Sequence, residues 1–111
     1  MGIRQWRNDF ARSALPYAAL AVISNEDIHG YELIVRLKEY GFGHIKGGVM
    51  YPILRRFEDD GLLEHYWDTT SHGPAKKMLR LTDEGRNELS GAENAWQDIS
   101  RSLSMISKRG K

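Results

Sequence analysis

The sequence predicts a mainly α-helical fold: a winged helix-turn-helix with a small β-hairpin wing, followed by a long C-terminal helix suited to dimerisation. Three stretches carry this reading. His29-Gly30-Tyr31-Glu32-Leu33 lies in a short helix, and Val49 to Leu63 combines an amphipathic helix, a glycine stop and the start of a strand. Leu81-Thr82-Asp83-Glu84-Gly85 then ends a hairpin and caps a further helix. In that order the elements turn one helix and one wing toward a DNA duplex.

Each element has a local cause. Trp6 to Arg12 is expected to form a helical turn, with Trp6 and Phe10 on one face at i,i+4 spacing. Ser13 is a cap for a first helix running to about Ile23, with Pro16 tolerated in its first turn. Asp27 is placed to cap a second helix, whose apolar residues Ile28, Tyr31, Ile34, Val35 and Leu37 recur up to Tyr40 before Gly41 and Gly43 stop it. Lys46-Gly47-Gly48 opens the third helix, with Met50, Ile53, Leu54 and Phe57 as its apolar stripe and Gly61 as its terminator. Leu62 to Trp67 reads as a strand, Thr69 to Pro74 as a loop and Lys76 to Leu81 as the returning strand.

Thr82 caps the last helix, with Asp83 and Glu84 at its positive end. Along it Leu89, Ala92, Trp96, Ile99, Leu103 and Ile106 are spaced 3, 4, 3, 4, 3, an a/d seam of about two and a half heptads. So long a helix outruns the cover a small domain provides, and a homodimer is the economical expectation. Residues 1–81 are accordingly expected to form the DNA-binding unit with its N-terminal helix. Residues 82–111 would supply the dimerisation helix and basic tail, the whole being one compact unit.

Composition narrows the function classes. The chain has 111 residues, 41% of them hydrophobic and 28% charged, as in an ordinary globular domain. It has no apolar run long enough to span a bilayer and no secretory leader, so a cytoplasmic location is expected. With no cysteine there is no disulfide framework or thiolate metal site. His29, His44, His65 and His72 lack metal-ligand spacing, and no phosphate loop or nucleophile motif stands out. Neither enzyme activity, metal nor cofactor is expected. The net charge of +1 decides nothing by itself, so the placement of the cations matters. They gather at Arg55-Arg56, at Lys76-Lys77 with Arg80, and in the tail at Lys108, Arg109 and Lys111.

These positions define the candidate DNA-binding residues. Arg55 and Arg56 either neutralise phosphates, reach a guanine edge, or form a solvated helix face. Tyr51 either donates to phosphate or a base edge, or packs under the helix with its hydroxyl at the rim. Lys46, with the amides after Gly47 and Gly48, is placed to meet phosphate at a helix N-terminus or is a solvated turn residue. Lys76 and Lys77 flank the wing tip on opposite strand faces, so that either one of them enters the minor groove or touches backbone, or both belong to a plain charged hairpin. Glu58, Asp59 and Asp60 stand at the far end of the third helix, away from phosphate. Gly30 and Gly85 are expected to serve close packing. Trp96 either packs against its symmetry mate or sandwiches a flat apolar ligand with it, with Tyr17, Phe10 and Trp6 as the other walls.

The blocks His29-Gly30-Tyr31-Glu32, Met50 to Arg56, Glu58, Gly61-Leu62, Gly73-Pro74 and Leu81 to Gly85 together resemble the PadR family of bacterial transcriptional regulators. The resemblance covers about Leu15 to Trp96, and the short C-terminal part is similar to the branch with a single dimerisation helix. It implies a homodimeric repressor that binds an inverted-repeat operator and is often released by a small molecule. Multidrug-sensing members place a tryptophan at the point of this helix matching Trp96, which implies a small planar apolar or aromatic effector. The chain departs from the family at Val49, where relatives usually carry threonine and which is still expected to border DNA together with Gly48. It departs again at Met78-Leu79, where a tyrosine pair is frequent. Two rival classes are a protein-interaction module and a ligand-binding dimer without an operator. ArsR- and MarR-type winged helices are further alternatives.

Overall fold

The computed structural model describes residues 2–43, 45–70 and 72–109, the last without its side chain. The elements follow in the order α1 (Ile3–Asn25), β1 (Ile28–His29), α2 (Gly30–Glu39), α3 (Gly47–Asp59), β2 (Leu63–Asp68), β3 (Lys76–Leu81) and α4 (Asp83–Arg109). The expected mainly helical architecture with a hairpin wing is present. His44, Ser71 of the wing loop, the Arg109 side chain and the tail residue Lys111 lie outside the described residues.

Three expectations about the first half need correction. The Trp6–Arg12 turn and the helix expected from Ser13 are one continuous helix, so Pro16 sits in the middle of α1 and not in its first turn. Proline cannot donate to the carbonyl of Arg12, but Arg12 is exposed and water can satisfy that oxygen. Asp27 does not cap α2; His29 does, its Nδ1 accepting from the Glu32 amide at 3.4 Å. Ile28 is not helical: with His29 it forms a short third strand, Ile28 opposite Leu79 and His29 opposite Met78. The buried stripe of α2 is therefore Leu33, Ile34 and Leu37, while Tyr31 is exposed.

Both helices of the helix-turn-helix end as their glycines require. Gly41 (φ +98°) and Gly61 (φ +78°) take the left-handed conformation that a β-carbon disfavours. Beyond Gly41, the Phe42 amide donates to Leu37 O at 3.0 Å; beyond Gly61, the Leu62 amide donates to Phe57 O at 2.8 Å. These bonds satisfy carbonyls that each helix end leaves open, and the chain turns sharply. The second turn delivers Leu63 straight into the sheet.

The sheet order is β1-β3-β2, all antiparallel. β3 is thus the central strand, with Leu63 opposite Leu81, His65 opposite Leu79 and Trp67 opposite Lys77 on one face. Leu63, Leu79 and Leu81 point that face into a core shared with Leu15 and Ile23 of α1, Leu33 and Leu37 of α2, and Met50, Leu54 and Phe57 of α3. Alternation then carries the same face outward past the core, along His65, Trp67 and Lys77.

Thr82 joins the wing to α4. Its hydroxyl accepts from the Gly85 amide at 3.0 Å, the expected cap, and donates to Gly61 O at 2.7 Å. Gly85 is buried so tightly that a β-carbon there would lie 2.2 Å from Leu62 O. Only the start of α4 packs on the body: Leu89 is buried and Ala92 half-buried, but Trp96, Ile99, Leu103 and Ile106 are all exposed. The helix projects, and the molecule extends 60 × 30 × 20 Å. Among the described residues no helix is long and apolar enough to cross a membrane.

The two glycines of α4 predict opposite responses to alanine. At Gly91 a β-carbon meets open space, so Gly91→Ala should stabilise the fold by up to about 1 kcal/mol through helix propensity. At Gly85 the same gain is outweighed by a backbone clash costing about 3 kcal/mol, so Gly85→Ala should destabilise by about 2 kcal/mol. Urea unfolding of both variants checks the pair.

Candidate nucleic-acid interface

The exposed side of α3 is set by what its other side buries. With Met50, Leu54 and Phe57 in the core, the residues left outward include Gly48, Val49, Tyr51, Pro52, Arg55 and Arg56. Lys46 is exposed at the N-cap, where its side chain makes no cap bond; the Val49 amide donates to Lys46 O at 2.9 Å, and among the described residues the Gly47 and Gly48 amides have no partner. Tyr51, Arg55 and Glu58 follow at i, i+4 and i+7 along one stripe, while Val49 and Arg56 share another. Among the described residues neither Arg55 nor Arg56 takes part in a salt bridge, so both guanidinium groups are available.

Tyr51 combines its two readings. About half of it is exposed, yet its ring lies across two glycines: a β-carbon at Gly30 would be 2.6 Å from Cε1 and one at Gly47 2.8 Å from Cε2. The ring therefore sits between the N-terminal ends of α2 and α3. Gly30 serves close packing, as expected, and its partner is this ring.

The wing is fastened to α3 by Glu58. One carboxylate oxygen lies 2.8 Å from His65 Nδ1, the other 3.1 Å from Lys77 Nζ. Burial alone would raise this carboxyl, but the hydrogen bonds to His65 and Lys77 outweigh it and hold the pKa below the ordinary value. Glu58 stands in the last turn of α3, and packing makes it a link between that helix and the wing. Lys77 is thus occupied on the inner face. Lys76, on the outer face opposite Asp68, is exposed. Trp67, absent from the residues singled out by sequence, is the exposed cross-strand neighbour of Lys77 on the inner face, and its ring meets His65 edge-on at 6.4 Å. Counting alternate residues from Leu63 places it there.

Arg80 is held apart from the other wing cations. Its Nε and Nη2 donate to Asp27 at 3.2 and 3.0 Å, Tyr66 donates to the same carboxylate at 2.7 Å, and the guanidinium lies 4.6 Å from the Tyr66 ring centre. This knot ties the α1–β1 turn to the outer face of the wing. The Tyr66 hydrogen bond above all, with the Arg80 hydrogen bond and charge, lowers the Asp27 pKa against the opposing effect of burial.

The remaining site residues expected from the sequence lie on α1 and α4. Trp6 and Phe10 are exposed with ring centres 5.8 Å apart, and Tyr17 is half-buried. At i, i+4 and i+11 they share one side of α1, on which Tyr17, three residues before the buried Leu20, packs against the core while Trp6 and Phe10 do not. Trp96 is about half exposed on α4. Among the described residues no group of histidines and carboxylates is arranged to hold a metal ion.

A winged helix-turn-helix with one exposed basic helix, a basic hairpin and a projecting apolar helix defines a class of transcriptional regulator. Comparison with known proteins narrows the class: residues 19–91 match the PadR-like family of transcriptional regulators, and the chain belongs to that family. A transcriptional regulator of Mycobacterium tuberculosis is 30% identical over 95 residues, covering 86% of this chain and 87% of the relative. The negative transcriptional regulator PadR of Bacillus subtilis is 34% identical over 79 residues, which is 68% of this chain but 42% of that longer protein. Among solved structures, a PadR-like transcriptional regulator from Bacillus cereus superposes with a TM-score of 0.80 at 30% identity, covering 88% of this chain and 95% of the other. All three of these proteins are described as transcriptional regulators.

Asp27 generates a pH prediction. Its pKa is lower folded than unfolded, so its stabilising effect is complete above the ordinary carboxylate range and fades as pH falls through the lowered value. Asp27→Asn should therefore flatten the acid side of the stability profile. At neutral pH it should cost about 1 kcal/mol or less, because the partners are half exposed. Thermal unfolding between about pH 2 and pH 7 reads both effects.

Proposed function

We propose that the protein is a repressor that binds an inverted-repeat operator as a homodimer. The observation that carries the reading is the outward face of α3, where Arg55 and Arg56 stand exposed and unpaired among the described residues, beside Tyr51 and behind Lys46. A helix of this kind enters a major groove, with Lys46 and the open amides around Gly48 meeting a phosphate and the arginines reaching phosphate or a guanine edge. Val49 borders the same face. Lys76 grips neighbouring backbone from the wing, joined by Lys77 where a phosphate draws it from Glu58.

The dimer reading is supported by the exposed seam of α4. Trp96, Ile99, Leu103 and Ile106 stand outside the core in one line, continuous with Leu89 and Ala92. Pairing two such helices covers the line and sets the two reading helices apart by one DNA turn, about 34 Å. A planar aromatic effector fits the same reading: Trp96 with its mate, walled by Tyr17, Phe10 and Trp6, would favour a spacing of the heads that no longer fits the operator.

Two measurements test it. Anisotropy on the duplex upstream of the protein's own gene, as a salt series, should show specific binding that weakens steeply with salt. Arg55→Ala with Arg56→Ala should lower the affinity at least about tenfold and flatten the salt slope by about one for each phosphate no longer neutralised. An unchanged affinity and slope would refute the assignment. Separately, Leu103→Glu changes an exposed residue and should leave the protomer folded, yet sedimentation should show it as a monomer with weakened DNA binding.

A further inference from the structure

The cavity that the α4 seam does not explain lies at the other end of the molecule. The N-terminal half of α1, residues 41–43 and 45 beyond α2, and the first turn of α3 border a half-open cavity of about 400 Å³. Ala11, Leu15, Phe42, Ile45 and Val49 form its apolar walls. That volume falls within the range of small-molecule pockets, about 300–1,000 Å³. None of Trp6, Phe10, Tyr17 or Trp96 lines it, because it opens on a different side of α1.

Its polar lining is one-sided. Arg7, Arg12 and the Asn8 amide border it, and among the described residues no carboxylate does. Neither arginine enters a salt bridge among the described residues. Arg7 is also held in place: its Nη1 donates to Gly41 O at 3.0 Å, on the glycine that ends α2. That bond engages one of five N–H donors and leaves the others for a ligand. An apolar chamber with two uncompensated guanidinium groups matches a molecule with an apolar body and one anionic end.

We propose that this cavity is a binding site for a small anionic amphiphile, a carboxylate on a short apolar body, with Arg12 and Arg7 holding the carboxylate. The occupant touches Val49, on the flank of α3 that also carries Arg56 and one residue past Gly48. Binding there shifts the start of the reading helix and changes DNA affinity; this coupling rests on the DNA-binding reading, while binding itself does not.

The test uses octanoate as the probe, octanamide as its uncharged counterpart and inorganic phosphate as the bare anion, each titrated calorimetrically into the DNA-free protein. Octanoate should bind about tenfold or more tightly than either control. Arg12→Gln, an exposed change, should reduce octanoate to the level of octanamide. Ala11→Trp, which fills the chamber, should abolish binding with the helical circular dichroism retained. Equal affinity for octanoate and octanamide would overturn the carboxylate role. Phosphate binding as tightly as octanoate would overturn the role of the walls. Octanoate binding unchanged in both variants would place the ligand elsewhere and overturn the site. Because these arms contain no DNA, their failure is distinct from failure of the repressor reading. A final arm adds the upstream duplex: saturating octanoate should change DNA affinity of the wild type and not of Ala11→Trp, and an unchanged wild-type affinity would overturn the coupling.

Discussion

The position of β3 between β1 and β2 constrains every group proposed to face DNA. Through Leu79 and Leu81 the strand is fixed in the core that also takes Met50, Leu54 and Phe57 from α3. Its other end carries Lys76 and Lys77 out to the wing. Reading helix and wing are therefore two extensions of one packed centre. The link from Glu58 to His65 and Lys77 adds an attachment beyond the core on the inner face of the hairpin, as the Asp27 knot with Tyr66 and Arg80 does on the outer face. Both attachments are short-range, so the separation of helix and wing is set by packing before any DNA is present.

The same economy governs the junction with α4. Gly61 turns the chain out of α3, Thr82 bonds to the Gly61 carbonyl while capping α4, and Gly85 presses against the Leu62 backbone. The residues that end the reading helix are those on which the long helix begins. The start of α4 and the C-terminal end of α3 are thereby in direct backbone contact. The α1 cavity bears on the opposite, N-terminal end of α3.

Much of the fold is legible in the sequence because local rules and tertiary packing agree. Gly41 and Gly61 stop their helices, Thr82 caps α4, and Lys76–Leu81 forms the returning strand as the pattern requires. The misses occur where long-range partners decide. Asp27 has the chemistry of a cap, but Tyr66 and Arg80, 39 and 53 residues away, claim its carboxylate. Ile28 fits a helical period, yet pairing with Leu79 makes it a strand residue. Pro16 reads as a helix start, but an exposed Arg12 lets the helix run through it. Of the candidate site, the exposure of the α3 arginines is readable from position alone, while the Glu58 link and the ring of Tyr51 across Gly30 emerge only from the packed structure.

The central claim is that α3 and the wing form the DNA-reading surface and the far part of α4 does not. Amide shifts of ¹⁵N-labelled protein, followed during titration with the upstream duplex, test this residue by residue. The account predicts that the largest changes fall on residues 46–56 and on Lys76 and Lys77, with the amides of residues 100–108 undisturbed. Changes concentrated along the α4 seam, with α3 quiet, would contradict it and make the apolar helix the binding element.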